Sequence, residues 1–338
     1  MTTHTKLRMR RLYEVLAFFL AVQLLLCVQT SHAQERLRIA YSAISGAMLT
    51  PWVGLETGIF KKNGVDAQLI YIPGGSTAAA ALAGGDVQVI LASGEGVVRG
   101  RLQGLDLISF ADMTSTLVFS LMARPEIATP AELKGKKVGA TRFGTSSYAA
   151  LVAGLKHFGI QPNDTTVLQM GGMPQVLLGL QSGGIAAGIL SPPNNIKAKK
   201  LGMKEFLDVG TLKIPFQMNT FIAKGEFTRK YPDTMRRLVR SIVESIHKIK
   251  TDQPATIKIL QKYTHVDDPE ILAETYRIFA LKYLPTVPLP SEEAVKQRLA
   301  ELSLEDDKAR QANFRDFVDS RWVKELEENG FIARLYRP

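Results

Sequence analysis

A single cysteine, Cys27, in 338 residues leaves no disulfide framework and no zinc or iron–sulfur site built from several thiolates. Histidine is scarce as well. Beyond residue 34 only His157, His247 and His265 remain, all at positions that a helical pattern claims, which argues against a histidine base. Phosphate-cradling glycine loops, dinucleotide-binding turns, paired metal-binding histidines on a helix and the nucleophile elbow are also missing. No cofactor or metal is therefore expected. Long apolar runs are confined to the N-terminus, and no later stretch approaches the ~20 residues of a membrane span. Acidic residues are outnumbered, 32 against 42 basic, for a net charge of +10. The densest basic clusters, Lys197, Lys199, Lys200 and Lys204, and Arg236, Arg237 and Arg240, lack the interleaved aromatics that single-strand binding uses. They read as solvated faces, and no nucleic-acid partner is expected.

The first 34 residues read as an address. Lys6, Arg8, Arg10 and Arg11 precede an apolar stretch over 15–28, and Ser31-His32-Ala33 offers small side chains where a signal peptidase cuts. A signal peptide over 1–34, cleaved after Ala33, is expected, and with it export of the mature chain. The ~14-residue stretch is short for an uncleaved anchor, and Leu26 before Cys27 disfavours lipidation. Removing these residues takes away four basic side chains and Glu14, which leaves a cysteine-free chain of net charge +7.

What is present from residue 36 onward is an alternation of short β-like runs with helical ones, the mark of an α/β protein with a mainly parallel sheet. Strands are expected at 37–41, 65–72 and 87–91, with helices between them. The unit then returns. Gly46 and Gly144, Phe60 and Phe158, Gly74 and Gly172, Leu82 and Leu180, Gly85 and Gly183, and Ser93 and Ser191 are each 98 residues apart. Two similar lobes are expected, lobe I from 35–119 and 223–338 and lobe II from 120–222. Thr129, Pro130 and Glu132 give a capping-box helix start. The chain crosses between lobes within 107–123 and returns over 219–223. Met235, Leu238, Val239, Ile242, Val243, Ile246 and Ile249 then keep helical spacing. Further helices are expected at 254–263, 270–283, 292–302 and 319–329, packed on the first lobe.

In open α/β sheets ligands bind at the C-terminal ends of parallel strands, and there the two units place polar, flexible backbone. Lobe I offers Ser42, Ser45 and Gly46, then Gly74, Gly75, Ser76 and Thr77, then Ser93. Lobe II offers Arg142, Gly144, Thr145, Ser146 and Ser147, then Gly171 and Gly172, then Ser191. Residues 75–77 and 144–146 each open a helix, so N–H groups, hydroxyls and the positive dipole end converge as an anion site. Arg142, the cation among these loops, is the natural partner of a carboxylate, sulfonate or phosphonate. Tyr41, Phe143 and Tyr148 are candidates for an apolar wall, as is Trp52, whose first reading is core packing. Glu95, in the loop 92–96, is the one carboxylate placed where a site would be.

Several segments resemble a known family. They are Tyr41-Ser42-Ala43-Ile44-Ser45-Gly46, Gly58-Ile59-Phe60-Lys61-Lys62-Asn63-Gly64-Val65, Tyr71-Ile72-Pro73-Gly74-Gly75-Ser76-Thr77, Leu133-Lys134-Gly135-Lys136-Lys137-Val138-Gly139, Ser191-Pro192-Pro193 and Tyr231-Pro232-Asp233-Thr234. With the tail segment 326–332 they are similar to ABC-importer solute-binding proteins of the NMT1/THI5-like, SsuA/TauA-like group. The resemblance implies a type II periplasmic-binding-protein fold, two α/β lobes joined by two crossing strands, closing on a ligand that a membrane permease receives. It implies sulfonate, taurine, nitrate or thiamine-pyrimidine ligands as a class. By loop it places Ser45, Gly46, Gly75, Ser76, Thr77, Ser93, Thr145, Ser146 and Ser191 at the ligand; Arg142 is added from charge alone. A related enzyme branch needs a cysteine-rich motif, which this chain lacks beyond residue 27. A monomeric binding protein for a small anion is thus expected, against a secreted enzyme using Glu95 as base, or a ligand sensor built on the same cleft.

Overall fold

The computed structural model describes residues 36–337. The expected signal peptide lies outside them. In chain order, β1 (Leu37–Tyr41) leads into helix α1 (Leu49–Glu56), followed by β2 (Ala67–Tyr71), α2 (Gly75–Gly84), β3 (Val89–Ala92), α3 (Glu95–Leu102) and β4 (Leu107–Thr116). The second unit runs β5 (Ser120–Ala123), β6 (Lys137–Ala140), α4 (Ser146–His157), β7 (Thr166–Gln169), α5 (Met173–Ser182), β8 (Ala187–Leu190), α6 (Asn194–Lys200) and β9 (Lys204–Asp208). Strand β10 (Pro215–Lys224) completes the sheets.

Two five-stranded sheets result, ordered β2-β1-β3-β10-β4 and β7-β6-β8-β5-β9. The orders match position for position, and α2 and α5 occupy equivalent places 98 residues apart, the sequence offset itself. Among the named strands, the pairings of β1 with β2 and β3, and of β6 with β7 and β8, are the parallel ones. In each sheet the strand next to the last runs antiparallel to both neighbours. Those two strands, β10 and β5, each follow a crossing between lobes. The sheets are therefore mixed, not mainly parallel, because each lobe accepts one reversed strand from the other's chain path.

The first crossing lies within the expected 107–123, but the return falls earlier than the expected 219–223. Thr220 to Ala223 pair with β3 and belong to the first sheet, which β10 joins from Pro215 opposite Thr116. Residues 117–119 and 209–214 make the connections, tied by Val209 N to the Phe119 carbonyl at 2.8 Å. The physical boundary on the return is thus near 214, some residues before 223.

The remaining chain is helical. Helix α7 (Pro232–Thr251) buries Met235, Leu238, Val239, Ile242, Val243, Ile246 and Ile249 completely, as its spacing predicts. It packs on α1 of the first lobe, and its Glu244 takes Lys62 and Asn63 at 3.1 Å each. Then come α8 (Gln253–Thr264), α9 (Pro269–Tyr276), α10 (Glu292–Leu302), which lies on β10, and α11 (Arg321–Glu328). The expected helix over 270–283 changes character midway, since Arg277–Tyr283 is wound as a π-helix. The Thr129–Glu132 capping box forms, with Thr129 N on Glu132 Oε1 at 2.9 Å, but it opens only the 3-10 turn Pro130–Leu133. No helix among the described residues is long and apolar enough to cross a membrane.

Candidate functional site

Where the strand ends of the two sheets face each other, side chains from both lobes enclose a cavity of about 40 Å³. At ~10–15 Å³ per water that is room for about three waters, the scale of a small polar molecule. Its polar wall comes from the strand-to-helix loops of both units.

From the first lobe, Ser42, Ser45, Gly74, Gly75 and Ser93 line it. Gly74 caps α2 with φ +87°, and a Cβ there would sit 2.5 Å from Arg142 Cδ. Glycine is required both by the backbone and by the close approach of the other lobe. Ser93 accepts from Glu95 N at 3.3 Å, which leaves its own hydroxyl hydrogen free to donate.

From the second lobe come Thr141, Thr145, Ser146, Ser147 and Ser191. Thr145 is the N-cap of α4, accepting from Tyr148 N. Its hydroxyl donates to the Arg142 carbonyl at 2.7 Å, while Thr141 and Ser147 hydroxyls meet at 2.6 Å and Ser147 accepts from Thr141 N at 3.0 Å. This triangle fixes the helix start and uses much of its own hydrogen-bonding capacity. Helix geometry leaves the first-turn N–H groups of α4 and α2 without intrahelical acceptors. Gly75 and Ser146, first residues of those helices, both line the cavity. Two positive dipole ends, one from each lobe, therefore face it.

The lobes also touch directly. Ser45 Oγ lies 3.0 Å from Ser191 Oγ and donates to the Pro192 carbonyl at 2.9 Å, and Gly46 N donates to the same carbonyl at 3.1 Å. Asn194 Nδ2 reaches the Ile44 carbonyl at 3.3 Å.

Of the sequence-derived candidates, Ser45, Gly75, Ser93, Thr145, Ser146 and Ser191 are brought together on the cavity wall. Gly46, Ser76, Thr77 and Arg142 are not among its lining residues. Gly46 turns toward the C-terminal helices, where a Cβ would lie 2.6 Å from Phe279 and Thr275. Arg142 lays its stem over Gly74 and donates Nε to the Pro73 carbonyl at 3.3 Å, a strap across the lobes. No charged side chain lines the cavity.

Its apolar wall is Ala43, Ala47, Met48, Phe119, Met173 and Met218, with Asn219 beside them. None of the four expected aromatics takes part. Trp52 stacks on Tyr263 at 4.6 Å and meets Tyr41 edge-on at 5.5 Å, inside lobe I, and Phe143 is half exposed against Tyr148. The methionines and Phe119 sit in runs whose spacing reads as core, and only the gap between the sheets distinguishes them. Asn219 gave little signal of its own, since its strand also carries Gln217 and Thr220.

Glu95 opens α3 away from the cavity. Arg298 grips both its oxygens at 2.5 and 2.8 Å, and Arg99 adds a further ion pair. A carboxylate so occupied is not a free base. Asp112, wholly buried near the crossings, accepts from Ser291 N at 2.8 Å and Gln217 Nε2 at 2.9 Å. Burial nevertheless pushes its carboxyl up to about 6. Among the described residues no group of three or more His, Cys, Asp or Glu is arranged to hold a metal.

A family model described as NMT1/THI5 like matches residues 49–256. A protein of Brucella abortus (strain 2308), named only as a binding protein, is 25% identical over 250 residues, which cover 70% of this chain and 74% of its own. The taurine-binding periplasmic protein of Escherichia coli (strain K12) is 23% identical over 189 residues, 55% of this chain and 58% of its own. Among solved structures, the alkanesulfonate-binding protein SsuA from Xanthomonas axonopodis pv. citri, bound to MOPS, superposes with a TM-score of 0.68 at 16% identity, over 82% of this chain and 94% of that one.

Proposed function

Given that the chain belongs to the NMT1/THI5-like family, we propose that it is a periplasmic solute-binding protein of an ABC importer. In this reading it holds a small organic anion in the interlobe cavity and hands it unchanged to a membrane permease. The protein works as an exported monomer, with residues 1–34 as its signal. The observation that carries the reading is the pair of helix starts, α2 from one lobe and α4 from the other, facing a small cavity that no charged side chain enters.

An anion leaving water loses its hydration and must be given equivalent donors. Here these are the N–H groups at Gly75 and Ser146 and the hydroxyls of Ser42, Ser93 and Ser146, those of Ser45 and Ser191 being spent on the contact between the lobes. Hydrogen bonds to a charged group contribute ~1.5–3 kcal/mol each, so a handful suffices for tight capture. Because the donors are split between lobes, the full set exists only when the lobes are together, and binding is thereby coupled to the shape a permease reads. The apolar wall of Met48, Phe119, Met173 and Met218 suits the carbon portion of the ligand. The names of the taurine-binding and alkanesulfonate-binding relatives make sulfonates the first class to try. The enzyme alternative loses support with Glu95, whose carboxylate is held by two arginines outside the cavity.

Calorimetric titration of the signal-free chain with sulfonates, short carboxylates, nitrate and phosphonates tests the reading. One-to-one binding of an anion that is recovered chemically unchanged is the expected result. Turnover of the ligand, or no binding of any anion, would overturn it.

A further inference from the structure

Asn219 is the polar residue of the cavity's apolar side. It lies on β10, is 1% exposed, and lines the cavity next to Ala47, Met48 and Met218. Its Nδ2 donates to the Ala47 carbonyl at 2.8 Å. That bond fixes the amide, because turning it over would set Oδ1 against another carbonyl oxygen. Oδ1 is then a committed acceptor, and it is buried with no hydrogen-bond partner. Buried acceptors in native proteins are rarely left unmet, and one that is unmet at a binding cavity calls for a partner from outside the chain.

An anionic group cannot be that partner, since its oxygens would repel Oδ1. The remaining polar wall is rich in donors, so the cavity asks for two different things in one small molecule. We propose that Asn219 determines specificity by accepting a hydrogen bond from an N–H or O–H group of the ligand. The cargo is accordingly a short organic anion that also bears an ammonium or hydroxyl group. The inference rests on the anion-binding reading above and adds to it the residue that sorts among anions.

Matched ligands provide the test. Taurine, isethionate and 1-propanesulfonate differ only in ending on an ammonium, a hydroxyl or a methyl, and β-alanine, 3-hydroxypropionate and butyrate repeat the series on a carboxylate. Titrated calorimetrically into the signal-free chain, at least one donor-bearing member is expected to bind ~10-fold or more tightly than its methyl counterpart, the scale of one hydrogen bond to a buried acceptor. The ammonium and hydroxyl arms then identify which donor is read. Asn219→Leu is expected to bring that ratio close to one while the methyl ligand keeps its affinity. Asn219→Met, which also lacks the amide oxygen, serves the same comparison if the leucine variant does not fold. Equal affinities within both series, or a ratio unchanged in Asn219→Leu, would overturn the role of Asn219 and leave the anion reading standing. Failure of every anion to bind would overturn both.

Discussion

Asp112→Asn is expected to stabilise the protein more at pH 7.5 than at pH 4.5, because it removes a charge that burial makes expensive. The wild-type carboxyl is raised from its ordinary 3.8 to about 6, burial outweighing the hydrogen bonds from Ser291 N and Gln217. Below 3.8 both folded and unfolded chains hold the proton, and no penalty arises. Between 3.8 and about 6 the unfolded chain has lost it while the folded chain keeps it, so stability falls as pH rises; above about 6 the loss is complete. At 1.36 kcal/mol per pH unit that gap is a cost of about 3 kcal/mol. For a chain of this size it corresponds to about 6 °C in melting temperature, at ~2 °C per kcal/mol. Asparagine keeps an acceptor for Ser291 N, and Gln217 can turn its amide to offer an oxygen to the new NH₂ group. Any fixed cost of the substitution cancels when variant and wild type are compared across pH. Melting curves at half-unit steps from pH 4 to 8 provide the measurement. Parallel melting temperatures for the two proteins across that range would refute the reasoning.

Ser93→Ala is expected to weaken binding of a confirmed anion by about 1 kcal/mol or more in a calorimetric titration, and Thr145→Ala to cost about 1 kcal/mol of stability in thermal unfolding as a lost N-cap. Ser76→Ala, off the cavity wall, should leave affinity unchanged in the same titration, and an equal loss there would discredit the wall assignment. Glu95→Ala leaves Arg298 with Glu301 alone and should lower stability by about 1–3 kcal/mol in urea unfolding, whereas a catalytic or ligand-contacting Glu95 would instead change binding. Gly74→Ala forces a side chain to φ +87° and is expected to cost about 1–3 kcal/mol; an unchanged midpoint would mean the turn relaxes freely.

The fold was legible because the sequence states it twice. Landmarks such as Gly74 and Gly172 keep their spacing from β1 through α3 and from β6 through α6, and the periodicity of α7 is that of a helix buried along one stripe. Strand direction was not legible. Alternating side chains look the same in either sense, so the reversal of β5 and β10 depends on which lobe the chain has just left. The polar wall was readable from strand-end loops, since a serine or threonine that starts a helix also presents its hydroxyl there. The apolar wall was not, because Met48 or Met218 beside a gap has the same spacing as a methionine in a core. Arg142 shows a third kind of limit. Its charge marks it for an anion, but only the position of the opposite lobe shows that its stem covers Gly74 and its Nε is bonded to Pro73. Gly46 lies off the cavity wall for a related reason, since the side chains that crowd it, Thr275 and Phe279, lie more than 220 residues away in the chain.

These same contacts bear on how closure and capture divide the work. Across the mouth of the cavity the lobes are joined by Ser45 with Ser191, Ser45 and Gly46 with the Pro192 carbonyl, Asn194 with the Ile44 carbonyl and Arg142 with the Pro73 carbonyl. At ~0.5–1.5 kcal/mol net each, they contribute a few kcal/mol to the closed arrangement, against the lost freedom of two lobes hinged on residues 117–119 and 209–214. On the proposed reading a ligand shifts the balance toward the closed form by its differential affinity for it, which the placement of Gly75 and Ser146 on opposite lobes would supply. Most of the interlobe bonds end on backbone carbonyls, which do not depend on side-chain identity, whereas Ser45 and Ser191 also line the cavity itself. Those two serines stand at both tasks at once, joining the lobes and facing the ligand, so a change at either alters the resting balance and the affinity together.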